Sequence, residues 1–399
     1  MKLNNNFNRL SSSYLFYEVS KRVDNFRQRN PNKKVINLGI GDVSLPLSKE
    51  VCDAMKNASL EMGAADKQRG YPPPFGYDFL RNTISQKYNT RGIDIKSDEI
   101  YIGDGAKSDC TNITRIFDKS DVIITSPVYP VYFDSNIING NKIIIIDTNE
   151  SENFIPHPDN VVRNTHDAII FLCSPNNPTG VSYGQTTLEQ WVKFALDTNS
   201  LIVFDSAYGE YVRSSSPRSI YEIENADKCS IEISSFSKSY GFTGVRCSWT
   251  VIPHKLCFSG THIHKVWERF MSTTFNGVSY ITQRGAQAAI KRDLLSDNNK
   301  EISYYLENAK ILSSSLESNK IVYFGGIDSP YIFTKIINRK SSWEAFDLLL
   351  EKESIVCTPG VGFGENADGY IRLSSLCKRE DAIEASYRLN EFFGRINGY

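Results

Sequence analysis

The sequence predicts an α/β fold in which a large domain on a mainly parallel sheet is joined to a smaller α+β domain. Three observations predict it. Apolar runs at residues 122–125, 142–146, 168–173 and 201–204 lack the polar alternation of a half-exposed strand and are separated by helical stretches, as expected of strands covered on both faces. Polar segments follow these and neighbouring strands directly, at 104–107, 126–130, 174–180, 205–208 and 235–238, where open parallel sheets gather their functional groups. After about residue 280 the order becomes helix, strands, helix, which predicts a separate unit. The expected division is 1–45 for an N-terminal arm with part of the small domain, 46–280 for the large domain and 281–399 for the small C-terminal domain.

The elements follow in order. Residues 1–34 are polar apart from Tyr14-Leu15-Phe16, and an amphipathic run at 17–26 predicts an arm and short helix. A strand at 35–38 leads into Gly39-Ile40-Gly41-Asp42, where two glycines allow a close backbone approach to a ligand or simply a tight turn. A helix over 48–61 precedes Arg69-Gly70-Tyr71-Pro72-Pro73-Pro74-Phe75-Gly76, whose consecutive prolines enforce an extended, stiff segment. Such a segment can hold Tyr71 out toward a partner subunit or a ligand. A strand at 99–102 is followed by Gly105-Ala106-Lys107-Ser108 opening a helix, and a second helix covers 187–197. Strands CSIEIS and CSWTVI flank the stretch 235–246. Beyond 280 the sequence predicts one long helix to about residue 318, strands at 321–324 and 331–336, a helix at 343–351, strands at 355–358 and 370–374, and a terminal helix from about 379.

Composition narrows the class. With 40% hydrophobic and 23% charged residues over 399 positions, the chain can fill a large core or two domains. Its net charge of -1, with both signs mixed along the chain, carries no footprint for nucleic acid or an anionic membrane. The N-terminus lacks the apolar core of a secretory signal, and no apolar run of about 18 residues is present to span a bilayer. The eight cysteines are scattered without a C-x-x-C pair, the pattern of reduced thiols in a cytoplasmic protein. His262 and His264 are the only close histidine pair and have no further ligand types beside them, so no metal site is expected.

The stretch Ser234-Ser235-Phe236-Ser237-Lys238-Ser239-Tyr240-Gly241-Phe242-Thr243-Gly244-Val245-Arg246 carries the most chemistry. A lysine among hydroxyls, with glycines and an arginine behind it, suits a Schiff base to a phosphorylated aldehyde, for which pyridoxal 5'-phosphate is the candidate. A polar turn between two strands explains the stretch equally well when it is taken alone. Other residues complete the constellation. Asp205 ends an apolar strand, where an unpaired charge is costly, and a cationic ring nitrogen would compensate it. Tyr208 and Asn177 are placed to share the ring's phenolic oxygen, and Tyr129 offers a face for stacking. The Ala106 and Lys107 N–H groups, the Ser235 and Ser237 hydroxyls and Arg246 form a candidate phosphate cradle, which Tyr71 would join from a second subunit. Arg372 is the candidate for a substrate carboxylate, against the plainer reading of an exposed strand arginine.

With GIGD, RGYPPPFG, DGAK, PVYP, SPNNPTG, DSAY, SFSKSYGFTGVR, FNG and YIRLSS in this order, the chain resembles the fold-type-I pyridoxal-phosphate aminotransferases of class I and II. GFTGVR with its WTVIP continuation, FNG and the Tyr14-Leu15-Phe16 arm point to their diaminopimelate branch. The resemblance implies a seven-stranded-type sheet and a homodimer sharing active sites at its interface. It implies Lys238 as the catalytic, cofactor-bonding lysine. Tyr14, Gly41, Lys107 and Arg372 match substrate positions, and Tyr129, Asn177 and Asn276 match positions touching both cofactor and substrate. Tyr71, Asp205, Tyr208, Ser235, Ser237 and Arg246 match cofactor positions. The implied reaction is exchange of an amino group between an amino acid and a 2-oxo acid, LL-diaminopimelate and 2-oxoglutarate in this branch. Another amino-acid substrate, or a lyase reaction on the same fold, is the alternative. The chain departs from the family at Tyr71-Pro72-Pro73-Pro74-Phe75, at Val43-Ser44-Leu45 and at Ser126-Pro127-Val128, which bears on how the distal end of a long substrate is read.

Overall fold

The computed structural model describes residues 1–10, 15–162, 164–295, 299–335 and 341–397. Helix α1 (Leu15–Arg29) buries Val19, Val23 and Phe26, which recur at helical spacing on one face. Strand β1 (Ile36–Asn37) and helix α2 (Lys49–Met62) follow, the helix starting where the Ser48 hydroxyl accepts from the Val51 N–H. Helix α3 (Asp78–Asn89) is not among the elements expected from the sequence, although Leu80, Ile84 and Tyr88 are buried at a spacing of four.

The alternating part then runs β2 (Ile100–Gly103), α4 (Ala106–Ile113), β3 (Asp121–Ser126), α5 (Val131–Asn139), β4 (Lys142–Asp147), β5 (Ile169–Cys173), α6 (Gln185–Asp197), β6 (Leu201–Asp205), β7 (Ser230–Ser235), the one-turn α7 (Phe236–Ser239) and β8 (Ser248–Val251). These strands form one seven-stranded sheet in the order β2-β8-β7-β6-β5-β3-β4. Only β8 runs against its neighbours. Strands β5 and β6 are buried at every position, which is why their sequences do not alternate.

A short ribbon of β9 (Cys257–Phe258) and β10 (Thr261–His262) leads to α8 (Ile263–Thr274) and α9 (Tyr280–Leu295). The C-terminal part comprises α10 (Lys300–Ser318), β11 (Tyr323–Gly325), β12 (Tyr331–Lys335), α11 (Ser342–Glu353), β13 (Ile355–Val356), β14 (Thr358–Pro359), β15 (Tyr370–Ser374) and α12 (Arg379–Asn397). Strands β11, β12, β15 and β14 make an antiparallel sheet, and β1 pairs in parallel with β13. Residues of α1 accordingly share a core with α10, α11 and α12.

The single helix expected from about 281 to 318 is two helices. Asn299 accepts from the Ile302 N–H at 3.1 Å and starts the second. Residues 296–298, and residue 336 of the expected strand, lie outside the described residues. The two helices also face different cores. Ala286, Ala289 and Ile290 of α9 pack with α2, α3, β2 and β8, whereas Ala309, Leu312 and Leu316 of α10 pack with α12.

Candidate active site

The carboxyl ends of β3, β5, β6 and β7 open into a cavity of about 390 Å³ closed from the other side by β12 and β15. It brings together Gly41, Ala106, Lys107, Tyr129, Asn177, Asp205, Tyr208, Ser235, Ser237, Lys238, Arg246 and Arg372 of the residues expected from the sequence. Tyr71 and Asn276 do not line it. Tyr71 is 87% exposed, and Asn276 is exposed beside Gly277, whose Cα backs onto the Pro73 carbonyl. Tyr14 lies outside the described residues.

Lys238 is presented by α7, which begins because the Ser235 hydroxyl caps the Ser237 N–H at 3.1 Å. Its carbonyl accepts from the Tyr211 hydroxyl at 3.0 Å, and its ammonium donates to the Gly41 carbonyl. Desolvation, helped by Arg372 and Arg246 and opposed by Asp42, pushes its pKa down to about 8. An amine this close to neutrality is a usable nucleophile and base.

Asp205 sits at the end of β6, 5% exposed. It accepts from the Ala207 N–H at 2.9 Å, the Cys110 thiol at 3.7 Å and the Tyr132 hydroxyl. These donors are uncharged, and desolvation raises the carboxyl pKa against their opposing effect. A cationic group in the cavity would offset the cost of burying this carboxylate.

The opposite end of the cavity is built for an anion. Gly105, at φ +139°, turns the chain into α4, and its N–H donates to the Ser248 hydroxyl at 2.9 Å; that hydroxyl donates in turn to Asp109 at 2.5 Å. The Arg246 guanidinium donates to Ser237 Oγ at 3.4 Å and to the Thr243 carbonyl at 3.1 Å. It lies so close over Gly105 that a Cβ there would overlap it. The N-terminus of α4, two hydroxyls and an arginine therefore converge.

Arg372, on β15, is 1% exposed, which excludes the reading of an exposed strand arginine. Its guanidinium donates to Asn177 Oδ1 at 2.6 Å, the Gly39 carbonyl at 2.7 Å and Thr358 Oγ1 at 3.2 Å, while its Nε is buried without a partner. It lies over the rings of Tyr331 at 4.3 Å and Phe363 at 5.0 Å. All these partners are neutral, so the positive charge is available to a carboxylate.

Several lining residues were not expected from the sequence: Phe16, Ile40, Asp42, Tyr132, Cys173, Ala207, Thr243 and Tyr331. A signal existed for Tyr132, which lies three residues after Tyr129 and packs edge-on against it at 5.9 Å. None marked Tyr331, whose strand reads as ordinary core. Its hydroxyl lies 2.7 Å from that of Tyr208.

The model of the family "Aminotransferase class I and II" matches residues 33–386. LL-diaminopimelate aminotransferase of Bacteroides fragilis (strain YCH46) is 42% identical over 408 residues, spanning 97% of this chain and 98% of its own. The enzyme of that name from Methanosphaera stadtmanae is 39% identical over 411 residues, spanning 98% and 99%. Among solved structures, L,L-diaminopimelate aminotransferase from Chlamydomonas reinhardtii superposes with a TM-score of 0.92 at 37% identity, covering 99% of both chains. An aspartate aminotransferase mutant of Thermus thermophilus reaches 0.86 at 20% identity and shares the fold alone.

Proposed function

This chain belongs to the class I and II aminotransferases, and from that premise we propose that it transfers an amino group between glutamate and LL-2,6-diaminopimelate. In the biosynthetic direction tetrahydrodipicolinate and glutamate give LL-diaminopimelate and 2-oxoglutarate, on the route to lysine and peptidoglycan precursors. The substrate assignment is carried by near-full-length identity of about 40% to enzymes of that name. The cofactor is pyridoxal 5'-phosphate, and the cavity fits it: a buried carboxylate without a counter-cation at one end, an anion cradle at the other and a near-neutral amine between them.

Bound there, the cofactor supplies an electron sink that lets the Cα–H bond of an attached amino acid ionise. Asp205 would hold the ring nitrogen. The Ala106 and Lys107 N–H groups, Ser235, Ser237 and Arg246 would hold the phosphate, with Tyr129 against the ring face. Tyr208 and Asn177 would donate to the phenolic oxygen. The planar fork of Arg372 would take the α-carboxylate, and the Asn177 amide, already bonded to it, keeps that fork in plane. Lys238 would accept the Cα proton and deliver it to the cofactor's C4' carbon, across the nitrogen from Cα, a task suited to a pKa near working pH. Phe16 and Ile40 line the same cavity.

The assembly we propose is a homodimer with shared active sites. Tyr71 and Asn276 are exposed, and each is next in sequence to a residue of the contact between Gly277 and Pro72-Pro73, which leaves both free to reach the cavity of a partner subunit. Among the described residues no helix is long and apolar enough to cross a membrane, and the cytoplasm is the proposed location.

The test is a half-reaction followed by the cofactor's visible absorption. LL-diaminopimelate, meso-diaminopimelate, glutamate, aspartate and phenylalanine are mixed in turn with the holoenzyme. Conversion to the amine form of the cofactor by LL-diaminopimelate and by glutamate, lost in Lys238→Ala, is expected. Conversion by glutamate without conversion by LL-diaminopimelate would remove the substrate assignment and leave the aminotransferase.

A further inference from the structure

Tyr331, on β12, is 1% exposed and touches two functional groups at once. Its hydroxyl lies 2.7 Å from that of Tyr208. Its ring face lies 4.3 Å from the Arg372 guanidinium carbon. The chain packs closely on both its hydroxyl and its backbone. A Cβ on Gly41 would overlap its hydroxyl, and a Cβ on Gly180 or Gly325 would overlap its carbonyl. Gly180 and Gly325 hold φ of +70° and +80°, a region that side chains disfavour. Ser329 Oγ accepts from its N–H at 3.1 Å, and its carbonyl accepts from the Gly326 N–H at 2.8 Å. The carbonyl of Gly41, on the far side of that contact, accepts from Lys238.

The direction of the hydroxyl pair follows from counting protons. Tyr208 has one proton to give, and if it goes to the phenolic oxygen of the cofactor, the bond between the two tyrosines has to be donated by Tyr331. Such a chain polarises, so the outer hydroxyl strengthens the inner bond. The ring acts on the other partner. The Arg372 Nε has no hydrogen-bond partner, and an aromatic face beneath a guanidinium restrains its plane through cation–π attraction.

We propose that Tyr331 is a positioning residue for amino transfer, its hydroxyl setting the bond that Tyr208 gives to the phenolic oxygen and its ring setting the plane in which Arg372 meets the carboxylate. The proposal rests on the aminotransferase reading above. The two roles separate by substitution: Tyr331→Phe removes only the hydroxyl, and Tyr331→Leu removes the ring as well.

The experiment uses holoenzymes with two readouts besides turnover: the pH at which the visible absorption band titrates, and the calorimetric Kd for 2-oxoglutarate. The bond from Tyr208 stabilises most the form in which the phenolic oxygen carries the most charge, which is the deprotonated one. Weakening it therefore raises the titration midpoint, by about 0.5 pH unit in both variants. Tyr331→Phe is expected to bind 2-oxoglutarate within about twofold of the parent, and Tyr331→Leu about tenfold more weakly. Tyr331→Phe titrating at the parent's pH, or Tyr331→Leu binding 2-oxoglutarate like the parent, would overturn the proposal. Both shifts appearing in an enzyme that no amino acid converts would uphold the placement of Tyr331 and sink the aminotransferase reading instead.

Discussion

Asp205→Asn is expected to move the protein with and without cofactor in opposite directions. Without cofactor, the carboxylate is 5% exposed and held by the Ala207 N–H, the Cys110 thiol and the Tyr132 hydroxyl. Hydrogen bonds to a charged acceptor contribute about 1.5–3 kcal/mol each, against a burial penalty of several kcal/mol for the ion. The two nearly cancel. Asparagine removes the penalty and keeps an acceptor for Ala207, so the apoprotein gains about 1 kcal/mol, or roughly 1–2 °C in Tm for a chain of this size. The gain has a pH signature. Burial raises the carboxyl pKa, so the folded apoprotein binds that proton more tightly than the unfolded chain does. The parent therefore recovers stability as pH falls from neutrality through the folded pKa toward the unfolded value of about 3.9, and the advantage of asparagine fades with it.

With cofactor the sign reverses. Removing one partner of a buried ion pair costs about 3–5 kcal/mol, which weakens cofactor binding at least about 100-fold. At a cofactor concentration of about 100 times the parent Kd, bound cofactor stabilises the parent by about 2.7 kcal/mol. The variant, with a Kd at or above that concentration, retains only a few tenths, from the same mass-action relation. Scanning calorimetry of both proteins, with and without pyridoxal 5'-phosphate, reads all four states. An apoprotein Tm that falls as far as the cofactor-bound one would refute the reasoning and make Asp205 a structural anchor.

Three further outcomes follow from the same cavity. Because the Lys238 pKa is held at about 8, the rate at which apoprotein takes up pyridoxal 5'-phosphate should rise with pH and level off above about 8; a rise continuing to the ordinary lysine value of about 10.4 would contradict it. Gly105→Ala places a side chain at φ +139° into the Arg246 guanidinium and should weaken cofactor binding by about tenfold or more, measured by equilibrium dialysis; an affinity within twofold would show that Arg246 does not close the cradle. Arg372→Lys loses one of two charge-assisted bonds to the substrate carboxylate, about 1.5–3 kcal/mol, so kcat/KM should fall roughly 10- to 150-fold for every amino acid and oxo acid alike. A loss confined to one substrate would mean that Arg372 reads the side chain.

What the sequence made legible divides along physical lines. The ends of β5 and β6 were readable because an unbroken apolar run followed by SPNNPTG or DSAY is a local statement: burial stops, chemistry begins, and the neighbours in sequence are also neighbours in space; β7, SIEISS, alternates, and its end was readable from the SFSKSYGFTGVR motif itself. Arg372 was readable as a residue but not as an environment. Its seat is made by Gly39, Asn177, Tyr331 and Thr358, drawn from segments scattered across the chain, and no window of sequence contains them together. Tyr331 is the extreme case. YIFTK has the composition of a buried strand, and burial is what its first four residues have; of the glycines packed on it only Gly41 meets the tyrosine side chain, at the hydroxyl, whereas Gly180 and Gly325 meet a backbone carbonyl that any residue there would carry. Tyr71 and Asn276 show the converse limit. Their motifs matched cofactor positions, yet both stand exposed outside the cavity. If they serve the site they do so in another copy of the chain, and no pattern of apolar residues within one chain encodes which of its surfaces a second copy will cover.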